Sequence, residues 1–350
     1  MKAAPYRPLD LTHGRIDLTH GAGGRASAQL ITGLFAAAFK NDYLDQGDDG
    51  AVLPAPAPGE ALVFATDAHV VAPLFFPGGD IGSLAVHGTL NDLAMMGARP
   101  LYLSASFILE EGLALADLAR IVASMATASR AAGVPIVTGD TKVVEQGKGD
   151  GLFISTAGLG ARPVGRSPSG RGAQAGDAIL VSGALGDHGL ALLTARGELG
   201  LASTLTSDSA ALHGLVEALF NAIPAAAVHV LRDPTRGGLA TTLNEIAHQS
   251  GVGMQLIETA IPVNPQVAAA CELLGLDPLY LANEGKLIAI VPAAQAAAAL
   301  AALRAHPLGQ RAAQIGAVTT DPRHFVQIRT PLGGQRLLDW LNGDPLPRIC

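Results

Sequence analysis

The sequence predicts an α/β (α+β) protein of two domains, and three observations predict it. Its 350 residues, 49% of them hydrophobic and 15% charged, exceed one domain of ordinary size and suffice for substantial cores. Apolar segments of strand length alternate with longer segments of helical character. One stretch, "ARPVGRSPSGRGAQAGD" at 161–177, interrupts that alternation with Gly, Pro, Ser and Arg and marks a domain boundary.

In the first half the order is strand at "ALVFATD" (61–67), helix across 80–98, strand at "PLYLSASFIL" (100–109), helix near 116–132, then strands at "VPIVTGD" (134–140) and "LFISTAGLG" (152–160). The second half opens with a buried-type strand and glycine turn in "AILVSGALGDHG" (178–189), followed by helices near 189–197, 209–220, 237–250 and 264–275. Strands are expected near 252–258, 286–291, 312–318 and 324–329. "PAAQAAAALAALRAH" (292–306) begins with proline and is rich in alanine, so it reads as a helix and not a linker. The implied domains are 14–162 and 163–336, with an extension at 1–13 and a tail at 337–350. Gly343, Pro345 and Pro347 discourage regular structure in the tail. Its last eight residues are expected to be extended and mobile, with a reach of about 25 Å at about 3.3 Å per residue, enough to enter a cleft.

A net charge of −7 without a long basic stretch argues against nucleic acid or an acidic membrane as partner. The 42 glycines sit in loops and form no short repeat, so they shape turns and do not signal disorder. "MKAAPYRPLDLTHG" lacks an apolar core of signal-peptide length and no later run spans a bilayer, so the expected location is cytoplasmic. Two cysteines make no disulfide framework. Cys271 lies in the apolar helical pattern "VAAACELLGL" and reads as a small core residue, whereas Cys350 ends the chain in "PLPRIC", where a scarce thiol calls for a reason.

Acidic residues recur in one pattern: Asp48 and Asp49 in "GDDGAVL", Asp67 ending "VFATD", Asp92 within an apolar helix, and Asp140 in "TGDT". A carboxylate at a strand end is commonly a turn former or helix cap. Several together are the hard oxygen donors that Mg²⁺ requires when it bridges nucleotide phosphates. "HGTLNDLAMM" sets His87, Asn91 and Asp92 among apolar neighbours, where polar groups need partners. Glycine loops before helix starts, "HGAGGRAS" (20–27), "SGALGDHG" (182–189) and "RDPTRGGL" (232–239), carry Arg25, Asp187, His188, Asp233 and Arg236 and suit anions as well as plain capped turns. Lys142 and Glu284, in "ANEGKL", are candidates for proton transfer or phosphate contact, though either is equally a solvated side chain by spacing alone. No two of the ten histidines have zinc spacing.

Taken together, "HGAGGRAS", "DDGAVL", "FATDAHVVAPLFFPGGDIGSLAVHGTLNDLAMMGA", "VTGDTKVVE", "VSGALGDHG", "RDPTRGGLATTLNEIA", "NEGKL" and the terminal "PRIC" resemble the HypE family of hydrogenase maturation factors. That family lies within the superfamily of aminoimidazole ribonucleotide synthetase, selenophosphate synthetase and thiamine-monophosphate kinase. The aspartates and glycine motifs are superfamily features; the "PRIC" ending selects the family.

The resemblance implies an aminoimidazole ribonucleotide synthetase-like fold, with an N-terminal sheet that forms a barrel across a homodimer and a C-terminal α/β domain. It implies ATP and Mg²⁺, with nucleotide contacts from Gly21, Gly23, Gly24, Asn91, Gly139 and Thr141, and both nucleotide and metal held by Asp49, Asp67, Asp92 and Asp140. It implies carbamoylation of Cys350 by the carbamoyltransferase HypF, ATP-dependent dehydration of the thiocarboxamide to a thiocyanate, and delivery of cyanide to a HypC–HypD iron complex for the nickel–iron hydrogenase. Lys142 and Glu284 would orient the substrate and move its protons. The alternatives are another ATP-using superfamily member, of selenophosphate synthetase or small-molecule kinase type, which leaves Cys350 unexplained, and a non-catalytic maturation scaffold, which leaves the aspartates unexplained.

Overall fold

The computed structural model describes residues 9–46, 48–197, 204–343 and 348–350. Two short helices, α1 (Arg25–Leu30) and α2 (Ala36–Phe39), are joined through a π-helical turn at Ile31–Phe35. Then come β1 (Ala61–His69), a minimal hairpin of β2 (Phe75–Phe76) and β3 (Gly79–Asp80), α3 (Ile81–Met95), β4 (Arg99–Glu110), α4 (Leu115–Ala132), β5 (Ile136–Val144) and β6 (Leu152–Arg162). Four of these strands form one sheet in the order β1-β6-β4-β5. The β4–β5 pair is parallel because α4 carries the chain back across the sheet, and the other pairs are antiparallel.

Helices α3 and α4 cover one face of this sheet, and α3 also packs against a helix of the second domain. That placement explains its sequence: "IGSLAVHGTLNDLAM" has no polar stripe, as expected for a helix buried on most sides. Its start is fixed by Asp80, whose side chain accepts from the Gly82 and Ser83 amides while Ser83 Oγ accepts from the Asp80 amide. The opposite face of the sheet is uncovered by the described residues, and Leu62, Phe64 and Ile108 on it are 59%, 67% and 44% exposed.

The second domain comprises β7 (Asp177–Val181), α5 (Asp187–Ala195), α6 (His213–Ala222), β8 (Val230–Arg232), α7 (Gly238–Ser250), β9 (Gly253–Ile257), α8 (Pro265–Leu274), β10 (Ile288–Pro292), α9 (Ala293–Ala305), β11 (Ala313–Thr319), β12 (Val326–Arg329) and β13 (Gln335–Leu337). Its seven-stranded sheet runs β13-β12-β9-β11-β7-β10-β8. Ile179 and Val181 pack with α7 on one face, Ala178 and Leu180 with α6 and α9 on the other. A strand covered on both faces reads as a continuous apolar run, which is why "AILV" after Asp177 shows no alternation. The expected strands and helices are present; β2 and β3, two residues each, and β8 and β13, three residues each, were not expected. No helix among the described residues is long and apolar enough to cross a membrane.

Residues 1–8 lie outside the described residues, but 9–13 form a turn in which Asp10 Oδ1 accepts from the Thr12 and His13 amides and Leu9 packs on the first-domain core.

Candidate active site in the interdomain cleft

The sheet order divides the expected acidic residues. Asp67 is on β1 and Asp140 on β5, the two outer strands, and they lie nearly level: Ala68 pairs with Ser155, Ser155 with Ser106, and Ser106 with Asp140. Three inter-strand steps of about 4.8 Å separate them by about 14 Å. Asp67 is on the α3 side, whereas Asp140, in register with Ser106 and Ser155, is on the open side. One chain therefore does not gather the expected four aspartates into a single metal shell.

The outer pocket, about 280 Å³, lies against β5 and is lined by His20, Gly21, Gly23, Phe35, Asp140 and Lys142 among others. Gly139 and Thr141 line it too. Gly139 has to be glycine, because a Cβ there would meet the Ala105 carbonyl of β4 at 2.2 Å. Lys142 Nζ bonds both Asp140 oxygens at 2.8 and 2.6 Å, and this hydrogen bond with the Thr141 amide holds the Asp140 carboxyl below its ordinary range. Gly23 donates its amide to Ser27 Oγ, which fixes the glycine loop to α1, and Gly24 caps that helix. Asp49 stands on an exposed loop, and among the described residues no hydrogen bond or ion pair ties it to either group.

The inner group lies between the domains. Asp67 Oδ2 is 3.2 Å from Nε2 of His69, two residues along β1 and so on the same face. Gly88 of α3 makes room for the pair, since a Cβ there would lie 2.9 Å from both atoms. Burial pushes the Asp67 carboxyl up, but its bond to His69 and the Ala68 amide outweigh burial and bring it below the ordinary value. Asp92 is raised to about 7, first by burial and then by the charges of Asp233 and Asp67. Asp233, in "RDPTRGG", is raised to about 6 by burial. Glu284 is 4% exposed with Oε1 unpartnered, and burial, then Asp233, Asp208 and Asp67, hold it well above the ordinary range.

The "NEGK" loop that carries Glu284 is fixed on every side. Asn283 accepts from the Gly186 amide and donates to the Pro234 and Leu281 carbonyls. The Glu284 amide donates to Asp208, which also pairs with Lys286 at 2.9 Å. Asn91 uses its side chain here as well: its amide donates to the Ala210 and Glu284 carbonyls and its oxygen accepts from Leu212. Asn91 thus ties α3 to the second domain. Lys142 and Glu284, expected to act together, stand in different groups within one chain.

The end of the chain is docked between the domains, on the segment that follows β1. Ile349 bridges Val71, with the Val70 amide donating to the Cys350 carbonyl oxygen at 3.0 Å and the Ala72 amide to Arg348 at 3.1 Å. Ile349 is 5% exposed and Arg348 pairs with Asp150 at 3.1 Å. Cys350 is half-buried, its carbonyl held by Val70, the residue that follows the strand carrying Asp67 and His69. In place of a free tail, the structure has residues 348–350 seated; the proline pair lies outside the described residues. Sequence reading passed over His69 and did not commit to Asp233, although the two-residue spacing of Asp67 and His69 on a strand was a usable sign.

The raised Asp92 has a consequence for stability. A carboxyl whose folded value exceeds its unfolded one stabilises the fold most below the unfolded value of 3.8 and loses that contribution as pH rises to about 7. Asp92→Asn is expected to flatten the fall in Tm between pH 4 and pH 7 in nucleotide-free protein, read by calorimetry. An unchanged Tm profile would mean that Asp92 is not strained by its neighbours.

Two domain models, of AIR synthase related proteins, match the chain: the N-terminal domain over residues 47–161 and the C-terminal domain over 174–329. The fold and the cleft thus define a protein of the AIR synthase-related class. Carbamoyl dehydratase HypE of Cupriavidus necator is 66% identical over 350 residues, covering 100% of this chain and 99% of that protein. A crystal structure of the hydrogenase maturation protein HypE in complex with ATP superposes with a TM-score of 0.90 at 54% identity, covering 95% of this chain and 99% of that one. The HypE of a HypE–HypF complex superposes at 0.78 with 47% identity, covering 89% and 99%. The chain belongs to the carbamoyl dehydratase HypE family.

Proposed function

We propose that this chain dehydrates a carbamoyl group carried on its own C-terminal thiol and consumes one ATP for each cyano group formed. The observation that supports the reading is the docked chain end: the Cys350 carbonyl is bonded by the Val70 amide, directly after the strand that carries the Asp67–His69 pair, and the neighbouring Ile349 carbonyl by His188 of the second domain. The amide oxygen of a thiocarboxamide is a poor leaving group. Transfer of the γ-phosphoryl group to that oxygen lets it depart as phosphate while the nitrogen gives up both protons, so thiocarboxamide and ATP become thiocyanate, ADP and phosphate. In this reading Glu284, held in a buried setting that raises its proton affinity, takes and passes on a nitrogen proton, and Lys142, which stands in the outer pocket of a chain, steadies phosphate charge once a second chain brings the two groups together.

The relatives described as ATP-bound and HypF-bound support ATP as the co-substrate and HypF as the carbamoyl donor, and the family supports a HypC–HypD complex as acceptor. Mg²⁺ fits the donor chemistry, because Asp67, Asp92 and Asp233 are hard oxygen donors whose mutual repulsion a divalent cation would relieve. Among the described residues no group of three or more His, Cys, Asp or Glu is arranged to hold the ion, so phosphate and water would complete its shell. Bound there, it would neutralise charge building on the transferring phosphoryl group.

The same geometry supports a homodimer through the open sheet face. The face exposes Leu62, Phe64 and Ile108, and β1 and β5 are unpaired edges. Joining β1 to the partner's β5 would set the Asp67 group beside the partner's outer pocket and so unite what one chain divides. Phe64→Asp is expected to give a folded monomer by light scattering, whereas Val63→Asp, on the covered face, should lower stability by about 2 kcal/mol. A Phe64→Asp protein that remains dimeric would contradict this interface.

The direct test of turnover is stoichiometry. Protein carbamoylated by its donor system should release one ADP and one phosphate per thiocyanate formed, and uncarbamoylated protein should release far less. ATP hydrolysis indifferent to carbamoylation would oppose the proposal.

A further inference from the structure

We propose that His188 is the positioning residue that seats the reactive end of the chain, holding the carbonyl next to Cys350 while Ser207 fixes the tautomer that allows it. This rests on the reading of Cys350 as the carrier thiol. In the antiparallel bridge, the carbonyls of Arg348 and Cys350 face Ala72 and Val70 of the first domain. Successive carbonyls of an extended segment point to opposite sides, so that of Ile349 faces the second domain. There Nε2 of His188, at the first turn of α5 and 0% exposed, lies 2.8 Å from it. Without the imidazole this buried carbonyl would lose that partner, at a cost comparable to a lost hydrogen bond.

The donor roles follow from the partners. A carbonyl only accepts, so Nε2 carries the proton; burial lowers the proton affinity of the ring and keeps it neutral, which leaves Nδ1 as an acceptor. The hydroxyl of Ser207, 2.7 Å from Nδ1, must therefore donate to it. Ser207 is itself anchored: its Oγ accepts from the Ser209 amide and its amide donates to the Pro77 carbonyl at 2.7 Å. Phe76 stands edge-on to the ring at 5.7 Å between centroids, so the imidazole has one orientation. Arg196 adds bonds to the carbonyls of Ala72 and Arg348. The first domain supplies a strand and the second an imidazole, and the thiol is one residue from the carbonyl they clamp. Reaction geometry tolerates little displacement, so this contact should act on turnover and not on nucleotide affinity.

The test compares His188→Asn, whose amide matches the Nδ1 position, with His188→Gln, whose amide nitrogen reaches the Nε2 position. In nucleotide-free full-length protein, Cys350 is alkylated with iodoacetamide and the rate read by peptide mass, with Cys271 as internal control. Loss of one buried hydrogen bond predicts about five-fold faster alkylation of Cys350 in His188→Asn and near wild-type behaviour in His188→Gln. Single-turnover dehydration should slow in His188→Asn and recover in His188→Gln, with ATP affinity unchanged in both. Ser207→Ala, which releases the tautomer, should shift alkylation the same way and serves if His188→Asn does not fold. Equal Cys350 alkylation in wild type, His188→Asn and Ser207→Ala would overturn the proposal. Absence of any carbamoyl group on wild-type Cys350 would instead overturn the carrier reading, and the alkylation rates would still decide whether His188 seats the chain end.

Discussion

Cys350→Ala protein is expected to fold, bind nucleotide and dimerise as before, yet never to acquire a carbamoyl or cyano group: a complete loss of function from one sulfur atom. The backbone bonds that seat the chain end, from Val70 to the Cys350 carbonyl oxygen and from His188 to Ile349, do not involve the thiol. The cost to stability should therefore stay within about 1 kcal/mol. Cys271→Ala gives the contrast. That thiol is 2% exposed and pushed up to about 11, by burial first and then by Asp277, so at neutral pH it is neither reachable nor ionised. Its replacement should cost about 1 kcal/mol through the small cavity and leave modification intact. Extending the chain beyond Cys350 should also slow turnover, because the seat formed by Val70, Ala72 and His188 would then have to admit further residues past the sulfur.

The second large effect is expected at Glu284. Glu284→Gln keeps the volume and the backbone bonds to Asp208 and Asn91 but removes a group that exchanges protons, so dehydration should fall by about 100-fold or more while ATP affinity stays nearly constant. Asp67→Asn should behave oppositely, because it removes a charge next to His69 and lowers Mg²⁺-dependent nucleotide binding. Equilibrium nucleotide binding and single-turnover rates separate the two. Equal loss of binding in both variants would mean that Glu284 holds nucleotide and does not move protons.

Much of this architecture was readable from residue pattern. Long elements such as α4 and β6 carry enough apolar residues at the right period to declare themselves, and α3 does so by the length of its apolar run. β8 and β13 did not, because three residues establish no period. The candidate site was legible as residue types but not as groups. Nothing in the linear order tells that β1 pairs with β6 and β4 with β5, and it is this order that parts Asp67 from Asp140 and Lys142 from Glu284. Asn91 was legible as a polar residue among apolar neighbours that needs partners, but not which ones: they are two carbonyls and an amide some 120 or more residues away. The chain end misled in the other direction. Its prolines and glycine argued for mobility, while Ile349, an apolar side chain that is buried once a strand and His188 are there to receive the segment, argued for docking.

The central claim is that dehydration takes place on Cys350 in the cleft of this protein. Intact-mass measurement after carbamoylation, before and after a single ATP addition, tests it most directly, with the adduct located by peptide mapping. The account predicts two species differing by the mass of one water, the heavier before ATP and the lighter after, both on the C-terminal peptide. An adduct on Cys271, or a carbamoyl group on Cys350 that ATP leaves unchanged, would contradict it.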